Sequence, residues 1–228
     1  TVKDGIMPGY FGYEAGQSCV GDHFAWFVEN CVPESYEQEA RVRGISIHQL
    51  LSEKLSTYKA GASGLLALDW FNGVRTPLMD FNLNGLIMGM NLLTKPEEIY
   101  LSLIEATAYG TRMIIEGFEE AGLEVKDITL SGGIPIKNEM LVQVYSDVCN
   151  RKNKVVDSTQ SSALGAAILG AAAAPERITG FKNANEAAKK LGKVKDKVWE
   201  PNQDNVEIYN ELYEEYKTLH TYFGTGIN

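Results

Sequence analysis

The stretch from Asp127 to Asn138, DITLSGGIPIKN, decides how the rest of the chain is read. Ile128, Thr129 and Leu130 form a short apolar, β-branched run with the length of a buried strand. Ser131-Gly132-Gly133 breaks it. Asn138 then opens a segment in which Met140, Leu141, Val144, Tyr145 and Val148 recur at helical spacing, as far as Asn150. Strand, glycine pair and helix together let a phosphate or a nucleoside approach bare backbone N–H groups. The same pattern also serves as a plain βα turn, because short glycine motifs are weak signals alone.

Downstream, Lys154-Val155-Val156 predicts a short strand, and Gln160 to Gly170 a helix made mostly of Ala and Gly. Such a face suits close approach of another backbone or of a nucleotide. From Ala184 the pattern gives a polar helix, a loop around Trp199-Glu200-Pro201-Asn202, and a last amphipathic helix. That helix carries Val206, Tyr209, Leu212, Tyr213, Tyr216, Leu219 and Phe223, an aromatic stripe that reads as core or domain contact.

Upstream, Thr94-Lys95-Pro96-Glu97-Glu98 has the cap, proline and acids that start a long helix, with Gly122 just past its end. Its apolar face is Ile99, Leu103, Ala106, Gly110, Met113, Ile114 and Gly117. Asn82 to Gly89 reads as a loop. Gly64 to Leu68 is a strand that runs into Asp69-Trp70-Phe71-Asn72-Gly73-Val74-Arg75-Thr76-Pro77, a stretch of turn chemistry. Polar groups at the C-terminal end of a strand are where open α/β sheets place ligands. Asp69 and Arg75 therefore either face a ligand or pair with each other. Glu34 to Tyr58 predicts two helices jointed near Gly44, the second capped by Ser46, and reads as an insertion. Gln17 to Cys31 predicts a helix with Val20, Phe24, Phe27, Val28 and Cys31 on one face, ended by Pro33. Met7 to Gly16 reads as an extended strand, and its one charge, Glu14, is either solvated or held in a polar cavity.

Composition narrows the classes. With 228 residues, 44% of them hydrophobic and 22% charged, the chain can bury a sizeable core. A net charge of −9 argues against non-specific nucleic-acid binding. Three cysteines without a C-x-x-C read as reduced thiols of a cytosolic protein, and three scattered histidines make a metal site a poor expectation. Cys19 and His23, four apart, are two candidate ligands only. No run reaches the length of a membrane span, and no secretory leader opens the chain. The start at Thr1, inside a strand approach, reads as a piece of a longer protein. The order of elements is α/β, but neither a G-x-x-x-x-G-K-[ST] loop nor a strand followed by G-x-G-x-x-G is present. A G-x-S-x-G elbow is missing too. Glycine turns at the tips of one sheet, with a nucleotide across a cleft, remain.

Five segments taken in order are more specific than any one of them: GYFGYEAGQSCVGDHFAWF from Gly9, ALDWFNGVRTP from Ala67, Gly85 through Gly89 to Ile104-Glu105, LSGGIPIKN from Leu130, and SSALGAAILGA from Ser161. Together they resemble the C-terminal half of the FGGY family of carbohydrate kinases, from Gly5 to about Ala174. The first two look like the branch that phosphorylates L-ribulose. The resemblance implies an actin-like ATPase (ribonuclease H-like) fold, with residues 1–175 as the nucleotide-binding domain, a helical insertion at about 34–58, and residues 176–228 as a helical extension. It implies that Ser131, Gly132, Gly133 and Asn138 bind the adenosine of ATP, with Ser161, Ala163, Leu164 and Gly165 lining the same pocket. Gly16 and Gln17 would lie towards the phosphates, and Glu14 would reach the sugar hydroxyls. Asn72, Gly73 and Arg75 fall at a cleft motif. Mg²⁺ would accompany the ATP.

Two parts of the family's machinery fall before Thr1: the Asp that serves as general base, and the Gly-Thr-Ser/Thr turn that holds the phosphates. These 228 residues alone are therefore expected to bind nucleotide without turning it over. The missing sugar domain would be their partner, and the strand left out would favour a homodimer. Another pentulose as substrate, or a non-catalytic actin-like module, are the alternatives.

Overall fold

The computed structural model describes residues 1–226. Its centre is a single helix, α4 (Pro96–Glu120), in which every residue from Tyr100 to Tyr109 is buried. A helix apolar on one side only could not be covered so completely, and this stretch (YLSLIEATAY) is apolar or small almost all round. Pro96 takes the first helical position, and Glu98 Oε2 accepts the Lys95 N–H at 2.7 Å, so the cap residue is Lys95 rather than Thr94. Thr94 instead accepts the Asn91 N–H. Towards its end the buried side turns to Ile115, while Gly117 is exposed with open space beside it.

The other elements are laid around α4. A two-residue ribbon, β1 (Val2–Lys3) with β2 (Phe11–Gly12), is all that forms of the strand expected over Met7–Gly16. The glycines and Pro8 hold the rest in turns. α1 begins at Gly21 and runs to Cys31, burying Phe24 and Phe27, with Cys31 itself exposed. α2 (Glu34–Arg43) and α3 (Ile47–Lys54) meet at Gly44 in the left-handed conformation, φ 64°, and Ser46 Oγ accepts the Gln49 N–H. Tyrosines tie this pair to the start of α4. Tyr36 donates to the buried Glu97 at 2.8 Å, and Tyr58 to Glu98 at 3.1 Å.

β3 (Leu66–Leu68) is wholly buried and pairs antiparallel with β4 (Leu86–Met88), where a loop was expected. Leu-Ile-Met is too short a run between Asn and Gly residues to announce itself. β5 (Asp127–Leu130) is half exposed rather than buried, and pairs in parallel with β6 (Lys152–Val156). β7 (Val194–Trp199) adds to β6 antiparallel, through a register shift. It replaces the loop expected around Trp199; its alternation was hidden by lysines and Asp196 on a largely exposed strand. The strands thus form three small sheets among the described residues, not the one sheet that the glycine turns suggested.

Between β5 and β6 lie a short helix, α5 (Gly133–Lys137), and α6 (Glu139–Cys149), whose cap is Asn138: its Oδ1 accepts the Leu141 N–H at 3.1 Å. α7 (Ser161–Ala173) buries only Ile168, and neither Gly165 nor Gly170 has an atom within 4 Å of a would-be Cβ, so close helix packing does not account for its glycines. α8 (Glu176–Thr179) and α9 (Ala184–Leu191) follow, with α9 resting on α7. The last helix, α10 (Gln203–Thr225), buries Tyr209, Tyr213 and Tyr216 in the same core as Leu68, Trp70, Leu103 and Tyr109. Leu103→Ala in that core would cost about 2–5 kcal/mol.

Candidate functional site

The turn after β5 is held open by its own backbone. Gly132 has φ 100° and ψ −174°, a conformation that essentially only glycine adopts, and a Cβ at Gly132 or Gly133 would meet nothing within 4 Å. Hollows lie along this turn. The first, about 410 Å³, has Gly133 and Asn138 on one wall, and is closed by α1 and α3 with Gly21, Phe24, Ala25, His48 and Tyr100. The second, about 210 Å³, is lined by Ser131, Gly132 and Gly133 against Val20, Leu141 and Tyr145. The third is shallow, and Ser131 shares it with Ser161, Leu164, Gly165 and the start of β7. Gly133 and Gly165 therefore face different hollows; Ser131 lines the second and the third but not the first, and Ala163 lines none of them.

Two tyrosine and histidine groups in the first hollow escaped the motif reading. His48 Nδ1 lies 3.1 Å from the Tyr100 hydroxyl. Burial pushes Tyr100 up to about 12, and burial together with Lys137 pulls His48 below its ordinary value, so both are neutral near pH 7. The signal for them was slight. His48 sits on α3, and Tyr100 is one turn into α4, both inside ordinary apolar periodicity.

Gly16 and Gln17 lie elsewhere. Gly16 N–H donates to Thr76 Oγ1 at 3.2 Å, and the Arg75 side chain covers Gly16. The Gln17 amide is fully engaged: Nε2 donates to Asp69 Oδ2 and to the Thr107 carbonyl, both at 2.9 Å, while Oε1 accepts from Thr111 Oγ1 at 2.8 Å. Asp69 Oδ1 takes the Tyr216 hydroxyl at 3.2 Å, and burial lifts the Asp69 carboxyl to about 6. Asp69 does not pair with Arg75. Arg75 reaches Glu14 instead, at 2.8 Å, with both side chains largely exposed. Gln17, Asp69, Gly73 and Arg75 border one narrow hollow, whereas Asn72 is exposed and outside it.

Cys19 Sγ and His23 Nδ1 approach to 3.5 Å in the core, but among the described residues no group of three or more His, Cys, Asp or Glu is placed to hold a metal ion. No described helix is long and apolar enough to cross a membrane.

An open glycine turn after a parallel strand, backed by a central buried helix, is the architecture of an actin-like nucleotide domain. Residues 1–174 match the C-terminal domain of the FGGY family of carbohydrate kinases, and the chain belongs to that family. It is 54% identical over 228 residues to a ribulokinase from Bacillus licheniformis, covering all of this chain and 41% of that protein. A xylulose kinase from Rhodospirillum rubrum, at 22% identity, superimposes with a TM-score of 0.70 over 90% of this chain and 38% of its own. A Plasmodium falciparum glycerol kinase with ADP gives 0.66 at 20% identity, over 90% and 37%. The chain spans about 40% of the length of the curated relatives it matches.

Proposed function

We propose that these residues form the ATP-side domain of a kinase that transfers the γ-phosphoryl group of ATP to the 5-hydroxyl of L-ribulose. The observation that carries the reading is Gly133, at the end of the open glycine turn, bordering with Asn138 a largely apolar hollow of about 410 Å³, a size that suits a purine nucleoside. The likeness to ribulokinases over the whole chain supports L-ribulose as the sugar. In this reading Gly132, Gly133 and Asn138 receive the adenosine, with Gly21 and Ala25 opposite. Ser131 leads on to Ser161, Leu164 and Gly165, and Ala163 supports their helix. Gly16 and Gln17 set the floor towards the phosphates, and Gln17 acts by positioning its loop, since its amide is already occupied. Gly73 and Arg75 hold that loop, with Asn72 at its rim.

Glu14, presented at the surface by Arg75, accepts hydrogen bonds from hydroxyls of the bound sugar. Phosphoryl transfer then needs little beyond alignment, charge neutralisation and a base to take the proton of the attacking hydroxyl. That base comes from the parent chain outside these residues. Mg²⁺ enters only with the nucleotide phosphates. Residues 1–175 act as one nucleotide domain, with residues 176–226 packed on it. The free edge of β5 offers a surface for a second copy, and a homodimer follows.

The full-length parent, given ATP and L-ribulose, is expected to release ADP and a 5-phosphorylated ketose. Faster turnover of another pentulose overturns the sugar, and no phosphorylation of any pentulose overturns the reading. Glu14→Ala in that protein is expected to raise the KM for L-ribulose at least tenfold. A strictly monomeric species in concentrated sedimentation runs removes the dimer.

A further inference from the structure

The 410 Å³ hollow has Phe24, Ala25 and Ile134 among its walls; its polar groups come from α3 and its cap (Ser46, His48, Gln49, Ser52), with Tyr100 on α4 and Lys137 and Asn138 at the end of α5. Asn138 Oδ1 is taken by the Leu141 N–H, so the Asn138 amide turns its N–H side towards the Tyr100 hydroxyl beside it. The Tyr100 oxygen thereby receives a donor, and its own proton goes to the remaining neighbour, His48 Nδ1, 3.1 Å away. A neutral imidazole that accepts at Nδ1 carries its proton on Nε2. Among the described residues no acceptor takes that Nε2–H, and His48 lines the hollow. One residue on, Gln49 donates its Nε2 to Glu53 Oε1 at 2.9 Å, which fixes the amide with Oε1 as the free end. Gln49 lines the same hollow. Ser46 holds the turn that carries both, through the Gln49 N–H.

We propose that α3 reads the nucleotide base, with His48 Nε2–H as donor and Gln49 Oε1 as acceptor, and so selects adenine over guanine. This rests on the reading that the hollow receives a nucleoside. Adenine offers the complementary pair, a ring-nitrogen acceptor beside the exocyclic N6 amino donor. Guanine has a carbonyl at the amino position and an N–H at the adjacent ring nitrogen, so both partners would face their own kind. A site built from fixed donors and acceptors rejects the mismatched ligand because its polar groups are left unpaired. Tyr100 contributes by positioning: it fixes which imidazole nitrogen carries the proton.

The test compares ATP and GTP as phosphoryl donors for the full-length protein, reading kcat and KM separately. His48→Ala is expected to lower the ATP-to-GTP ratio of kcat/KM at least tenfold, with the loss falling on the KM for ATP. Gln49→Ala, an exposed and structurally safe change, moves the ratio the same way by about three- to tenfold. Tyr100→Phe moves it less, about threefold, because the imidazole is then free to change tautomer. A ratio unmoved by both His48→Ala and Gln49→Ala overturns the inference. Ala25→Trp, which fills the hollow, separates binding of the base there from its recognition by α3. If it raises the KM for ATP while the α3 variants leave the ratio alone, the base sits in the hollow but α3 does not read it. If it leaves the KM for ATP untouched, the base lies elsewhere and the proposed nucleotide site falls too.

Discussion

Gly73 and Gly133 both lie in turns that follow a strand, yet what surrounds them is opposite. At Gly73, with φ 70°, a Cβ would lie 2.5 Å from Phe81 Cα, so glycine is required because the chain's own backbone fills the space. At Gly110 and Gly16 the space is taken by side chains instead, those of Gln17 and Asp69 at the first and of Arg75 at the second. At Gly133, and at Gly132 and Gly165, an added Cβ would meet no other part of the chain within 4 Å. The first group is explained by packing. The second is not, and in the proposed function that open space borders the nucleotide. The contrast separates two kinds of glycine that look identical in the sequence.

The largest effect is expected from Gly73→Ala. Left-handed strain and contact with Phe81 add, and a loss of about 4 kcal/mol is expected in urea unfolding. A loss below about 1 kcal/mol would show that the region yields and is not packed as described. Next in size is the buried acid of the packed side. Glu105 accepts from Tyr209 OH at 3.0 Å, and burial lifts its carboxyl to about 8. The folded chain therefore keeps a proton that the unfolded chain gives up near pH 4.5. The stability gained by holding that proton is complete below about pH 4.5 and is lost as pH rises through about 8. Glu105→Gln should remove that decline, making the variant more stable than the wild type by about 4 kcal/mol at pH 8 and little different at pH 4.5. Thermal melts across that range would decide it; parallel curves for the two proteins would place Glu105 in a wetter site. The smallest effect is expected on the open side. Gly165→Ala, in the interior of α7, should stabilise the chain by about 0.5–1 kcal/mol through helix propensity alone. If Gly165 borders the nucleotide, the same change raises the KM for ATP in the full-length protein. A destabilised Gly165→Ala would mean that α7 is packed after all.

Long, well-punctuated segments were legible. α4, α6 and α10 follow from their apolar spacing and their caps, and the joint at Gly44 with its Ser46 cap stands where the residues put it. Short strands were not. β4 and β7 owe their pairing to partners far along the chain, and neither Leu86-Ile87-Met88 nor Val194 to Trp199 carries enough local preference to be seen. At the candidate site the glycine turn and Asn138 could be read, because glycine conformation and capping are local. The pairing of Arg75 with Glu14 instead of Asp69 could not, since it depends on where Gln17 and Tyr216 arrive. His48 escaped for the same reason: a histidine on an amphipathic helix becomes informative only when Tyr100 is seen beside it.

The hydroxyl of Tyr216 reaches a carboxylate that was laid down 147 residues earlier, at the end of β3. During synthesis at about 5–20 residues per second, Asp69 waits about 7–30 s for that partner. Through that interval the nascent chain has Leu68, Trp70 and Tyr109 without the tyrosines of α10 that cover them. The packing of this core therefore waits until α10 has been made.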